Sequence, residues 1–142
     1  MSAPTIASLV FFVFSLIAAA AVEYLMRAFA EEAGLNRWVF AMVPALFAML
    51  FALFIYQNAE RKIRRLGESV SRGILVMLFT WLSFAALVDW TWCQPRDFGY
   101  CLSKTLLVSG IVGGGPMLLC AIAAGVLTGV LVIRRPRPRI DE

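Results

Sequence analysis

Four apolar stretches, each close to twenty residues or longer, decide what this chain can fold into. They lie at about residues 5–27, 38–57, 73–92 and 105–133. A helix needs about 20 residues to cross roughly 30 Å of hydrocarbon. A membrane β-barrel would require alternating apolar and polar residues, and segments such as FFVFSLIAAAAV do not alternate. The sequence therefore predicts an all-α fold, with residues 1–142 forming one integral membrane bundle of four transmembrane helices.

The composition argues against most kinds of enzyme. Hydrophobic residues make up 61% of the chain and charged residues 15%, against about 45–50% and about 25% in soluble domains. The chain has no histidine, which removes the commonest general base and the commonest metal ligand. Its cysteine and carboxylate spacings specify no metal site. We therefore expect a protein that is not an enzyme and that carries no cofactor or metal.

Two helices are predicted to continue beyond the membrane. Strong helix formers carry the first helix to about residue 33, before Gly34, and the second to about residue 66, before Gly67. A cleaved signal peptide is the alternative for the first stretch. No Lys or Arg precedes Ile6, however, so the basic segment that such a peptide needs is missing.

The positive charges predict the orientation. Five Lys or Arg residues lie at 61–72 and four at 134–139, on one side of the predicted bundle, and the other four lie on the opposite side. Cytoplasmic segments carry the excess of Lys and Arg. We therefore expect a multi-pass protein of the bacterial inner membrane with both termini cytoplasmic (N-in, C-in). The segment WTWCQPRDFGYCLSK, residues 90–104, would then face the periplasm.

This periplasmic segment holds the candidate recognition residues. Cys93 and Cys101 are far enough apart to turn and form a disulfide in an oxidising compartment. Redox exchange is the alternative, but the quinone-coupled disulfide-forming enzymes carry Cys-x-x-Cys in their first outer loop, where this chain has no cysteine. The expected partner-binding residues are charged or aromatic and come from both outer segments: Arg96, Asp97, Phe98, Tyr100, Glu31 and Glu32.

Charged residues near the outer ends of the helices form a second group. We expect a buried charge clamp that joins helices 1, 3 and 4, made of Glu23, Arg27, Arg37, Asp89 and Lys104. Asp89 would lie in the outer leaflet, where an unpaired carboxylate costs about 2–3 kcal/mol. The alternative is a polar pocket that opens outward. Small multidrug transporters carry a glutamate in the middle of their first helix, where this chain is uncharged, which disfavours proton-coupled transport.

The fourth apolar stretch contains two G-x-x-x-G pairs, Gly110/Gly114 and Gly125/Gly129. Such pairs let two helices approach closely. Packing inside the bundle is favoured over a homodimer through either pair. The same stretch contains GGGP, which ends at Pro116 and predicts a kink, with a functional hinge as the alternative.

In length, number of spans and cytoplasmic termini, the chain resembles the polytopic four-helix immunity proteins of the bacterial inner membrane, which protect cells from pore-forming or M-type bacteriocins. The resemblance covers the whole chain as architecture. It implies binding at the periplasmic face, to a protein toxin or to the lipid-linked molecule that the toxin attacks, with membrane lipids as the other partners and no nucleic acid. A small multidrug-type or metabolite transporter and an accessory subunit of a larger membrane complex are the alternatives.

Overall fold

The computed structural model describes residues 2–29, 37–57 and 65–133, without the side chains of residues 26–29 and 37. Each of its four helices is long and apolar enough to cross a membrane. The prediction of an all-α chain with four such helices is therefore confirmed. The helices are α1 (Ala3–Phe29), α2 (Arg37–Ile55), α3 (Leu66–Trp92) and α4 (Phe98–Ile133), with a 3₁₀ turn, Pro95–Asp97, between α3 and α4.

The first two helices match the predicted spans closely, whereas the last two begin earlier than predicted. α1 and α2 begin and end within two residues of the predictions, and their proposed continuations to 33 and 66 lie largely outside the described residues. α3 and α4 each begin seven residues earlier than predicted, at Leu66 and Phe98. Hydropathy detects only the apolar part of a helix, whereas residues 66–72 and 98–104 are polar turns that continue it.

The four helices form a closed ring in which each packs against two others. α1 contacts α2 and α4, and α3 contacts α4 and α2. Phe11 near the start of α1 meets Tyr56 just after α2, with ring centroids 5.7 Å apart, so these two helices run antiparallel. Short connections favour such antiparallel neighbours. The start of α1 and the end of α4 therefore lie at one end of the bundle, and the α3–α4 turn lies at the other.

Small residues fill the interior and large apolar residues cover the outside. Ala7, Ala45, Ala52 and Ala124 are fully buried. Many large side chains are exposed on every helix, including Leu9, Val13, Ile17, Leu46, Phe54, Phe79, Leu82, Leu107, Ile111 and Leu119. Such a surface would be a liability in water, and small residues at helix contacts are typical of membrane bundles. This packing agrees with helices that are long and apolar enough to cross a membrane.

α3 and α4 approach most closely where glycines replace side chains. A methyl group on Gly125 would come within 2.9 Å of the Val70 Cα, and one on Gly73 within 2.8 Å of the Ala121 carbonyl oxygen. The Ser69 hydroxyl donates to the Gly125 carbonyl oxygen at 2.8 Å. Gly125 therefore packs inside the bundle.

The other glycines of the two G-x-x-x-G pairs differ in their surroundings. Gly129 faces Ser69, and a methyl group on Gly110 would lie 3.4 Å from the Trp81 ring. Gly114 has open space around it. Three of the four glycines thus serve contacts inside the chain, which is the use that the sequence favoured. α4 runs unbroken through GGGP as one helix of 36 residues.

α3 and α4 keep one register along their whole length. The pairs that meet across the two helices lie at equal distances from Asp97 in sequence: Cys93–Cys101, Asp89–Thr105, Gly73–Ala121 and Ser69–Gly125. This is the pattern of an antiparallel helical hairpin.

Candidate binding site at the α3–α4 turn

The turn between α3 and α4 is closed covalently. Cys93 caps the end of α3, and Cys101 lies in the first turn of α4. The two form a disulfide with Cα atoms 6.6 Å apart, so the predicted bridge is present. Between them the backbone N–H of Asp97 donates to the Gln94 carbonyl oxygen at 3.0 Å, which forms the 3₁₀ turn. We call residues 90–104 the cap.

The cap is mostly helix, not loop. Trp90 to Trp92 form the last turn of α3, and residues 98–104 form the first turns of α4. The predicted spans left residues 93–104 between the third and fourth helices, but α4 already begins at Phe98, so only residues 93–97 connect the helices. The connection is short because Pro95 sets the φ angle that begins a tight turn. The cap side chains consequently stand on rigid helical backbone.

The cap presents aromatic and charged side chains to its surroundings. Trp90, Trp92 and Tyr100 are 77%, 62% and 64% exposed, and Arg96 and Asp97 are also exposed. Phe98 is half-buried and meets the Trp90 ring edge to face at 6.2 Å. Four of the six predicted binding residues, Arg96, Asp97, Phe98 and Tyr100, therefore lie in the cap, and their role in binding stays a prediction. Glu31 and Glu32 lie outside the described residues.

A cation–π contact restrains the Lys104 side chain on the cap. The Lys104 Nζ lies 4.7 Å from the centre of the Tyr100 ring. The two residues are one helical turn apart on α4, where side chains four positions apart are neighbours. This contact holds the ammonium group over the exposed ring. Lys104 is thus part of the cap surface.

Asp89 lies beneath the cap as a buried carboxyl group, 4% exposed. Its Oδ1 accepts a hydrogen bond from the Thr105 hydroxyl at 2.8 Å, which joins α3 to α4. Its Oδ2 is buried and has no hydrogen-bond partner among the described residues. The burial of Asp89 agrees with the sequence analysis. Thr105 is a partner that the sequence analysis did not name.

Lys104, predicted as a member of the buried clamp, is exposed on the cap instead, and the other members are only partly described. Glu23 is half-buried on α1. The side chains of Arg27 and Arg37 lie outside the described residues. The ion pairs of the clamp therefore stay a prediction. Among the described residues, the Asp89 side chain is bonded to the Thr105 hydroxyl.

A ladder of hydrogen bonds continues from Asp89 towards the middle of the bundle. The Ser109 hydroxyl donates to the Thr105 carbonyl oxygen at 2.5 Å. The Trp81 Nε1–H in turn donates to the Ser109 hydroxyl at 2.8 Å. Thr105, Ser109 and Trp81 were not among the predicted site residues. The signal for Thr105 was the predicted disulfide, because stepping four residues further from Asp97 on each side pairs Asp89 with Thr105.

No protein-family model, characterised protein or solved structure is detectably similar to this chain. What the chain can do therefore has to be argued from its own chemistry. The cap combines a disulfide-closed turn with exposed rings and charges.

Proposed function

We propose that this chain is a non-catalytic, multi-pass protein of the bacterial inner membrane that binds a partner through its cap at the periplasmic face. Its most specific role in this proposal is immunity, the protection of its cell from a bacteriocin that acts at the outer surface of that membrane. The observation that carries the proposal is the disulfide-closed cap, which holds exposed aromatic and charged groups on helical backbone.

Rigidity of the cap supports recognition. Side chains and loops that become ordered on binding lose entropy, at roughly 0.5–1.5 kcal/mol for each flexible side chain. Here the bridge between Cys93 and Cys101 fixes the backbone, and the contact with Tyr100 restrains Lys104. Aromatic residues and arginine are also the types enriched at binding hot spots. The cap thus offers a preordered surface.

Membrane anchoring is the competing explanation for some of these rings. Tryptophan and tyrosine are enriched where a membrane meets water, and Trp90 and Trp92 on α3 fit that use. Arg96 and Asp97 do not, because they lie at the tip of the turn beyond the apolar helices. Substitutions of Arg96 and Asp97 can therefore distinguish a cap that binds a partner from a cap that only anchors the helices in the membrane.

The test exchanges the two charges. Cells that produce the chain are challenged with a panel of purified pore-forming and M-type bacteriocins. Wild type is expected to protect against at least one of them, and Arg96→Asp/Asp97→Arg is expected to lose that protection. The exchange keeps the net charge, so the amount of protein and its melting temperature should be unchanged.

A matched control exchanges an exposed pair at the other end of the bundle. Arg65 and Glu68 are both exposed there, and Arg65→Glu/Glu68→Arg is expected to protect like wild type. Absence of protection against every bacteriocin in the panel would argue against immunity. Normal protection by the cap variant, together with loss in Glu23→Gln or Pro116→Ala, would favour the small transporter instead.

A further inference from the structure

Arg72 lies half-buried on α3, at the end of the bundle opposite the cap. Its Nη1 donates a hydrogen bond to the carbonyl oxygen of Ile55, the last residue of α2, at 3.0 Å. The last four carbonyls of a helix have no donor within the helix, so Arg72 supplies one of them. Arg72 therefore stands at one end of the line of contact between α2 and α3, which we call the α2–α3 seam.

The guanidinium group of Arg72 keeps most of its bonding capacity. It has five N–H donors and a permanent positive charge. Within the described part of the chain its hydrogen bond goes to the Ile55 carbonyl oxygen, which is neutral. Guanidinium groups form their strongest bonds with carboxylate and phosphate oxygens. The end of the seam thus presents a cation with donors directed at an anion.

The position of Arg72 along the helices is that of a lipid headgroup. The residues that follow it on α3, 73–92, number about 20 and cover about 30 Å, which is the thickness of the hydrocarbon layer. On α2, the carbonyl that Arg72 binds belongs to the last residue of the helix. Both helices therefore place the guanidinium at the boundary between hydrocarbon and headgroups, where lipid phosphates lie.

Apolar side chains remain exposed along the seam beside Arg72. Leu75 and Phe79, three and seven positions later on α3, are exposed, and Phe54 on α2 is 68% exposed. The Phe51 and Phe79 rings meet across the seam with centroids 5.6 Å apart. Among the described residues, α2 and α3 make the least extensive contact of the four neighbouring helix pairs. A cation followed by exposed hydrocarbon is complementary to a lipid with an anionic headgroup, and basic pockets between membrane helices bind such headgroups.

We propose that Arg72 and the α2–α3 seam form a binding site for an anionic phospholipid. The guanidinium binds the phosphate with the donors that Ile55 leaves free, and an acyl chain lies along Leu75, Phe79 and Phe54. A headgroup with net negative charge is preferred, because the ammonium group of a zwitterionic lipid competes with Arg72 for the phosphate. The lipid adds contacts between α2 and α3. The site does not depend on what the cap binds or on which leaflet surrounds it.

Native mass spectrometry of the full chain tests this site. The protein in detergent is mixed with equal amounts of phosphatidylglycerol and phosphatidylcholine that carry the same acyl chains, and the retained lipid is identified. Wild type is expected to retain phosphatidylglycerol preferentially. Arg72→Gln is expected to lower that preference about fivefold, since one basic group near a membrane surface contributes about 1 kcal/mol. Equal retention of the two lipids by wild type would overturn the proposal.

Arg65→Gln is the matched control. Arg65 is exposed and directly precedes α3, so its substitution removes the same charge from the same end of the bundle. This variant is expected to keep the wild-type preference, and Arg72→Lys, which keeps the charge, is expected to retain most of it. An equal fall in Arg65→Gln and Arg72→Gln would mean that the total charge of this end attracts the lipid, and would refute a site at Arg72.

Two other occupants of the seam are separated by the same measurement. A millimolar excess of sn-glycerol 3-phosphate is expected to leave the bound phosphatidylglycerol in place, and displacement would show that the site takes a soluble phosphate. A dimer without lipid would assign the seam to a second copy of the chain. Both results would contradict a lipid site.

A melting experiment needs no variant and decides the matter if Arg72→Gln does not fold. A ligand that binds only the folded state raises the melting temperature. Wild type in detergent is therefore expected to melt at a higher temperature with added phosphatidylglycerol than with the same amount of phosphatidylcholine. Equal melting temperatures with the two lipids would refute the preference for an anionic headgroup.

Discussion

Gly125 shows how single residues set the distance between helices in this bundle. Its backbone lies against Val70 and Ser69 of α3, where a methyl group would come within 2.9 Å of a Cα atom. These neighbouring atoms belong to the backbone, which cannot change rotamer to make room for a larger residue. The Ser69 hydroxyl uses this closeness to reach the Gly125 carbonyl oxygen, and the Tyr56 hydroxyl donates to the carbonyl of Ser69 at 2.7 Å. Three helices are thus joined at one glycine.

Gly125→Ala is expected to lower the free energy of unfolding by about 1–2 kcal/mol. Overpacking costs about 1–3 kcal/mol, and the better helix propensity of alanine returns part of that. Gly114→Ala on the same helix is the control, because nothing lies within 4 Å of the added methyl group. Thermal or denaturant melts in detergent should show Gly114→Ala at or above wild type. Equal melting of the two variants would mean that α3 and α4 do not meet at Gly125.

The α3–α4 hairpin is the element on which the cap depends. Its register is fixed at one end by the disulfide and at the other by Gly73 and Gly125. Between these points the Asp89–Thr105 hydrogen bond repeats the same pairing, and the long Trp81 side chain reaches Ser109, four residues away from the position that the pairing places opposite it. The disulfide therefore adds stability to a pairing that the helix contacts already specify.

Cys93→Ser/Cys101→Ser is expected to weaken the fold without changing its register. Closing a loop of this length contributes at most about 2–3 kcal/mol through the unfolded state. The melting temperature should therefore fall while helical circular dichroism is kept. In wild type that has not been reduced, thiol reagents should modify at most Cys120, the one free cysteine among the described residues. Ready labelling of Cys93 and Cys101 would contradict the bridge.

In the whole molecule, the antiparallel order of the four helices determines which segments lie at the same end of the bundle. Four antiparallel helices bring the start of α1 and the end of α4 to the same end, opposite the cap. The uneven distribution of Lys and Arg then predicts which end is cytoplasmic. The binding proposal depends on this orientation, because a bacteriocin arrives from outside.

Reporter fusions after Arg65 and after Glu142 are expected to read as cytoplasmic, and fusions near Gly34 and Phe98 as periplasmic. Positions 61–72 and 134–139 carry nine of the thirteen basic residues, which explains the expectation. Paired alkaline phosphatase and fluorescent-protein fusions give opposite signals at each site and so control for expression. A periplasmic signal at the C-terminus would place the cap in the cytoplasm and remove the basis for the immunity proposal.

Local information in the sequence was enough for the helices and for the disulfide, whereas the binding role of the predicted cap residues stays a prediction. Twenty apolar residues in a row have one stable conformation in a bilayer, because every backbone group must be bonded within its own segment. The two cysteines lie close in sequence, so their meeting depends only on the turn between them. The residues from Arg96 to Tyr100 lie in the cap for the same reason.

The tertiary structure decided what depends on distant parts of the chain. Residues 66–72 and 98–104 are less apolar than the stretches that follow them, because they include Glu68, Arg72 and Lys104, and they form the first turns of α3 and α4. In the sequence, Arg72 is one of five basic residues at positions 61–72. Its environment became specific only when α3 packed against the end of α2 and the guanidinium reached the Ile55 carbonyl oxygen. Packing between two helices sets that contact, and no single segment of sequence contains it.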